Sequence, residues 1–262
     1  MDRKAFLSHS MAAVASLALP KLELFDEDLD AQSAKDPRKV IAMVVYPEFT
    51  VLDLIGPYQF LSALTDHRVL LVSKTKGLVT SDTGLAVQTD VAFKNCPKEV
   101  SVLFVPGGTN GTLKAMKDPE TLSFVKNRGA RADYVTSVCT GSLLLGAAGL
   151  LKGKQATAHW LVRDLLKDFG AVPVNKRVVI DGNRITGAGV SSGLDLGLAI
   201  INQIAGAAYA KQCQLWFEYD PQPMFDFGSR EKSKPEDVQM LESMVTEFRK
   251  ELKQYAKART GK

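Results

Sequence analysis

The residues Val40–Tyr46 run Val-Ile-Ala-Met-Val-Val-Tyr without a single charged or amide side chain. A strand with one wet face alternates apolar and polar residues. An unbroken run belongs to a strand covered on both faces, the habit of parallel sheets with helices above and below. Val69–Ser73, Val100–Val105 and Tyr134–Val138 read as further strands. Pro57 opens a helix running to Leu64, since proline fits the first helical position, and Pro119–Arg128 reads as another helix. Strands alternating with helices predict an α/β fold, a doubly wound sandwich with a mostly parallel sheet and helices on both faces. Val178–Ile180, the Asp181-Gly182 turn and Ile185–Thr186 read as a hairpin inserted in that scheme. Ser191-Ser192 stand where they would cap a helix running through Ala205. Over residues 235–256, Leu241, Met244, Val245, Phe248, Leu252 and Tyr255 form one apolar stripe. It predicts a last helix packed on the domain or on a second subunit.

Residues 1–38 hold five basic and seven acidic side chains, residues 229–262 nine basic and six acidic, and the whole chain carries +4. That balance is too mild and too interleaved for a nucleic-acid surface. No apolar run is long enough to span a bilayer as a mature helix, so no membrane partner is expected. Arg3, Lys4, the small-residue run Ala5–Leu19 and Pro20 resemble an export signal over residues 1–20. Arg3-Lys4-Ala5-Phe6-Leu7 is close to a twin-arginine pattern whose second arginine is lysine. With such a signal the protein is exported or periplasmic; with a frayed N-terminus instead, it is cytoplasmic. Residues 21–38 read as an acidic linker, 39–228 as the main domain and 229–262 as a helical extension. Cys96, Cys139 and Cys213 are odd in number, and neither they nor His9, His67 and His159 have zinc-ligand spacing, so neither a disulfide framework nor a metal site is expected.

Chemistry concentrates in Tyr134-Val135-Thr136-Ser137-Val138-Cys139-Thr140-Gly141-Ser142-Leu143. A β-branched strand ends at Val138, an apolar helix starts near Gly141, and Cys139 sits at the junction. The pattern is that of a nucleophile elbow, which holds a reactive side chain above the carboxyl end of a sheet. Partial positive charge at the helix N-terminus predicts a lowered thiol pKa, and Gly141 leaves room for a ligand near the backbone. The alternative is a buried structural cysteine, the usual fate of a free thiol. Cys96, before Pro97 in a loop, and Cys213 lack this context and read as structural.

Three features offer partners for the thiol. Pro106-Gly107-Gly108 follows the Val102–Val105 strand. It is either a simple turn or, with the Thr140 N–H, an oxyanion-type pocket of backbone donors. Asp53, in Val51-Leu52-Asp53-Leu54-Ile55-Gly56-Pro57, is either a helix N-cap or a partly buried carboxyl able to exchange protons. His159, before Trp160, either pairs with Cys139 or makes a structural hydrogen bond at a helix start.

These stretches carry a resemblance. Tyr46-Pro47-Glu48, Leu52-Asp53-Leu54-Ile55-Gly56-Pro57, Pro106-Gly107-Gly108-Thr109, the Val135–Ser142 run and His159-Trp160 are similar, in order, to the ThiJ/PfpI superfamily. This superfamily has the class I glutamine amidotransferase-like, flavodoxin-like fold. Within it the chain is similar to the isonitrile hydratases, whose cysteine, following threonine and aspartate fall on Cys139, Thr140 and Asp53. The resemblance implies a homodimer and hydration of isocyanides to N-substituted formamides without metal or organic cofactor. Other cysteine chemistry, on an amide or a reactive aldehyde, and a non-catalytic ligand or redox sensor are alternatives the same fold hosts.

Overall fold

The computed structural model describes residues 36–260. The leader over 1–20 and nearly all of the linker over 21–38 lie outside the described residues, so neither expectation is addressed. From Lys39 onward the chain forms one compact unit.

The apolar runs become strands at the centre of a seven-stranded sheet. In chain order they are β1 (Lys39–Val44), β2 (His67–Ser73), the hairpin β3 (Leu78–Thr80) and β4 (Ala86–Gln88), β5 (Val91–Ala92), β6 (Val102–Val105) and β7 (Tyr134–Val138). They are followed by β8 (Gln155–Ala156), β9 (Val172–Pro173), β10 (Val178–Asp181) and β11 (Arg184–Gly187). The main sheet runs β10-β11-β7-β6-β1-β2-β5. All its pairings are parallel except the β10–β11 hairpin, whose turn uses Gly182 at φ 61°. Ile41, Met43, Val102–Val105, Val135 and Val138 are sealed from solvent, as the unbroken apolar pattern requires. The expected flavodoxin-like architecture is present.

The helices flank the sheet: α1 (Val51–Leu61), α2 (Asn110–Lys117), α3 (Pro119–Gly129), α4 (Gly141–Ala147), α5 (Ser192–Trp216), α6 (Pro235–Met244) and α7 (Thr246–Thr260). Four expectations need correction. Pro57 does not open its helix; α1 begins six residues earlier, and Pro57 lies inside it. Proline there removes one backbone hydrogen bond, but Pro57 packs at 3.2 Å from the Cβ position of Gly193 on α5. Ser191 stands at the N-cap position of α5 as expected, but its hydroxyl makes no cap hydrogen bond and accepts from Arg177 instead. The expected end of that helix at Ala205 appears as a break at Gly206 (φ 83°), beyond which helix resumes to Trp216. The single C-terminal helix is two, divided at Val245.

That division splits the apolar stripe. Phe248, Leu252 and Ala256 are buried, and the Tyr255 hydroxyl donates to the Met116 carbonyl, so α7 packs on the domain. Leu241 and Met244 on α6 stay exposed. Other exposed apolar side chains lie elsewhere: Leu52, Ile55 and Tyr58 along one face of α1, and Leu215, Trp216, Met224 and Phe225. No helix among the described residues is long and apolar enough to cross a membrane.

Candidate active site

The carboxyl ends of three neighbouring strands, β7, β6 and β1, meet at the point where the chain switches from one side of β1 to the other. Such a switch point opens a crevice at the strand ends. Cys139 leaves β7 there with φ 57°, in the left-handed region that side chains seldom adopt. Its N–H donates to the carbonyls of Gly187 (3.2 Å) and Ala188 (2.7 Å), which hold the strained turn in place. Such strain in a non-glycine residue collects at functional sites.

Gly141 serves a purpose other than ligand access. A Cβ there would lie 2.4 Å from the Val105 carbonyl and 2.5 Å from that of Pro106. The missing side chain lets the elbow close on the end of β6, and no space is left for a ligand.

Asp53 is not an N-cap either. Thr50 occupies that position, and Asp53 is the third residue of α1, completely buried and turned towards Cys139. Its Oδ2 accepts from the Gly107 N–H at 2.9 Å, its Oδ1 is buried without a partner, and Oδ2 and Cys139 Cβ border the same gap at the missing Gly107 side chain. Burial pushes its pKa up to about 7, against the lowering effect of the Gly107 and Cys139 hydrogen bonds. The thiol moves the other way from the sequence expectation. Burial first, then the Asp53 charge, raise the Cys139 pKa well above its ordinary value, outweighing the Thr140 N–H and hydroxyl. The helix that follows is only seven residues long and starts two residues later, too little to reverse that.

The two glycines between β6 and α2 are engaged with side chains. Gly107 N–H is held by Asp53, and Gly108 N–H donates to Thr140 Oγ1 at 2.9 Å. They are therefore not free donors for an oxyanion, and the expected pocket is not formed by them. Their lack of side chains is what the site needs. A Cβ on Gly107 would come within 2.5 Å of Asp53 Oδ2, 2.8 Å of Thr140 Oγ1 and 2.9 Å of Cys139 Cβ. One on Gly108 would meet the Glu48 carbonyl at 2.5 Å. Cys139, Asp53 and Thr140 thus converge on one small volume that only glycine leaves open.

Thr140 Oγ1 lies 2.7 Å from Thr112 Oγ1, which lies 3.0 Å from the Tyr46 hydroxyl. Sequence reasoning does not single out Tyr46, whose stretch marks only the family resemblance, or Thr112, which has no local pattern to mark it. No hydrogen bond joins His159 to the thiol among the described residues. Its Nδ1 accepts from the Leu161 N–H at 3.4 Å, and burial, then Arg163, lower its pKa. It lines a cavity of about 450 Å³ with Leu52, Trp160, Arg177 and Ala188. Cys96 is buried at a 3-10 turn, its carbonyl accepting from Arg128, and Cys213 is buried in α5, so neither lies at the site. No group of three or more metal-ligating side chains occurs among the described residues.

Fold and site together define a class, and comparison confirms it: residues 38–203 match the DJ-1/PfpI family, to which this chain belongs. The chain is 48% identical to the isonitrile hydratase of Pseudomonas putida over 189 residues, covering 72% of this chain and 82% of that one. It is also similar, at 29% identity over 53% of its length and 83% of the relative's, to deglycase PfpI of Pyrococcus furiosus. A solved THiJ/PfpI family protein from Pseudomonas syringae superposes with a TM-score of 0.82 at 46% identity, over 93% of this chain and 99% of that one.

Proposed function

We propose that this protein hydrates isocyanides to N-substituted formamides, with Cys139 as nucleophile and Asp53 as the group that moves protons. The observation that carries this reading is the convergence of the buried Asp53 carboxyl and buried Cys139 on the gap at Gly107, with Asp53 Oδ1 left unpartnered. The likeness to the Pseudomonas putida enzyme supplies the substrate class.

The chemistry fits the pair. An isocyanide R–N≡C needs one proton and one nucleophile at the same terminal carbon. Asp53 takes the thiol proton and delivers it to that carbon, while the Cys139 sulfur forms the C–S bond, giving the thioimidate R–N=CH–S. Water then adds across C=N, its oxygen to carbon and one proton to nitrogen. Loss of the remaining hydroxyl proton to sulfur, by way of Asp53, breaks the C–S bond. The products are R–NH–CHO and the restored thiol. No redox change occurs and no proton is gained or lost overall. Asp53, poised near neutral pH, suits both directions of transfer. Thr140, whose hydroxyl borders the same gap at Gly107 as Cys139 and Asp53, supports the nucleophile. The exposed Leu52, Ile55 and Tyr58 face on the Asp53 helix supports a homodimer.

The test is a panel assay of purified protein on alkyl and aryl isocyanides, simple amides and methylglyoxal. Formamide production from at least one isocyanide, with amides and methylglyoxal untouched, is expected. Turnover confined to amides or aldehydes overturns the reading.

A further inference from the structure

We propose that the cavity beside the Cys139 elbow receives the substituent of the isocyanide and selects one that carries a carboxylate, with Arg163 and Lys176 as the residues that hold it. The proposal rests on the hydratase reading and names the class of isocyanide.

The cavity of about 450 Å³ that His159 lines has one end at the reacting pair. Leu52 in its wall precedes Asp53 in α1. Ala188, also in its wall, accepts the Cys139 N–H on its carbonyl at 2.7 Å. The volume is that of a small-molecule site. The other end is marked by Trp160, Arg163, Asn175 and Arg230, which the cavity shares with a groove of about 980 Å³ lined by α6 and α7. The wall is therefore apolar beside the elbow and cationic towards the groove.

Charge decides what such a cavity holds. Arg163, Lys176, Arg177 and Arg230 line it against one carboxylate, Glu231, in a chain whose whole net charge is +4. Glu231 accepts from Asn175 at 2.7 Å, Arg177 is ion-paired with Asp195 and Arg230 with Glu242. Arg163 and Lys176 have no carboxylate partner among the described residues, so two cations of the wall are left for a ligand. In the groove, Lys253 and Lys257 stand four residues apart on α7, on one face of the helix, and extend the positive lining outward. Such a lining attracts and orients an anion and gives a neutral alkyl group nothing. The guanidinium fork of Arg163 matches a carboxylate. The terminal carbon of the isocyanide must reach Cys139 and Asp53, which leaves its substituent for the cavity. A carboxylate a few bonds from the nitrogen then lies towards Arg163.

The experiment compares isocyanoacetate with its methyl ester, which differ in charge but react at the same carbon. In the wild type, kcat/KM for the carboxylate should exceed that for the ester by at least about ten-fold, mainly through KM. Arg163→Gln should cut this ratio about ten-fold, and Arg163→Lys, which keeps the charge, should recover part of it. The ratio should also shrink several-fold when salt is raised to about 0.5 M, because the attraction is screened. A wild-type ratio at or below one overturns the proposal, as does a ratio that Arg163→Gln leaves unchanged. If Arg163→Gln does not fold, Lys176→Gln and the salt series decide, and a ratio that neither lowers overturns it. Binding is followed apart from turnover by calorimetric titration with N-formylglycine, the form of the product, and its methyl ester. The acid should bind at least about ten-fold more tightly to the wild type, and Arg163→Gln should remove the difference. Binding of that kind without hydration of any isocyanide overturns the hydratase reading and leaves the selection of a carboxylate standing. Hydration of both isocyanides with equal efficiency does the reverse.

Discussion

At the scale of single residues, the site is built by what is left out. Gly107→Ala places a methyl group 2.5 Å from Asp53 Oδ2, where the carboxylate has no room to retreat. We expect this variant to lose at least about 100-fold in turnover, the lower end of what a general acid-base group contributes, by steady-state kinetics. Asp53 also makes stability depend on pH. Its pKa rises from 3.8 unfolded to about 7 folded, so it binds its proton more tightly in the native state. That contribution is complete below about pH 4 and is lost as pH rises through about 7. Asp53→Asn removes the burden. In urea unfolding its stability relative to wild type should improve by roughly 2–4 kcal/mol between acid and mildly alkaline pH. A constant difference across that range contradicts burial of an ionisable Asp53. The elbow cysteine and the aspartate were legible in sequence, because a strand run meeting a helix at Cys139 and a carboxyl among apolar neighbours are local patterns. The direction of the thiol pKa was not. It depends on which carboxyl the fold brings against the sulfur, and Asp53 is far away in the chain.

At the scale of elements, α1 is the piece that delivers Asp53, and its position is set by α5. Glycines make the contact close: a Cβ on Gly197 would lie 2.8 Å from Phe60 Cβ, and one on Gly193 would lie 3.2 Å from Pro57. Gly197→Ala should therefore push α1 outward. Overpacking of this kind costs about 1–3 kcal/mol, measured by thermal or urea unfolding. It should also lower turnover although the residue is remote from the thiol. Unchanged turnover with lowered stability would show that α1 gives way without moving Asp53. The main strands are legible in their apolar runs, and so is the helix from Pro119, which ends at Gly129; the start of α1 and the division of the last helix are not. The start of α1 at Val51 has no side-chain cap to announce it, and Pro57 inside the helix looks in sequence like a helix start. The division at Val245 was hidden because the apolar stripe continues across it.

At the scale of the whole molecule, the apolar side chains left exposed on α1 and around Trp216–Phe225 exceed what scattered surface residues require. Sedimentation equilibrium at micromolar concentration should give a dimer, and a monomer alone would remove that expectation. The central claim is that one buried thiol–carboxyl pair adds across an isocyanide carbon. Acid-quenched enzyme caught early in turnover, analysed by peptide mass spectrometry, tests it directly. The account predicts an adduct on the Cys139 peptide that weighs the whole isocyanide, since addition expels nothing, and none on the Cys96 or Cys213 peptides. It also predicts no adduct in Asp53→Asn within the same interval. Formamide produced with Cys139 never modified, or by a Cys139→Ser protein at the wild-type rate, would contradict it.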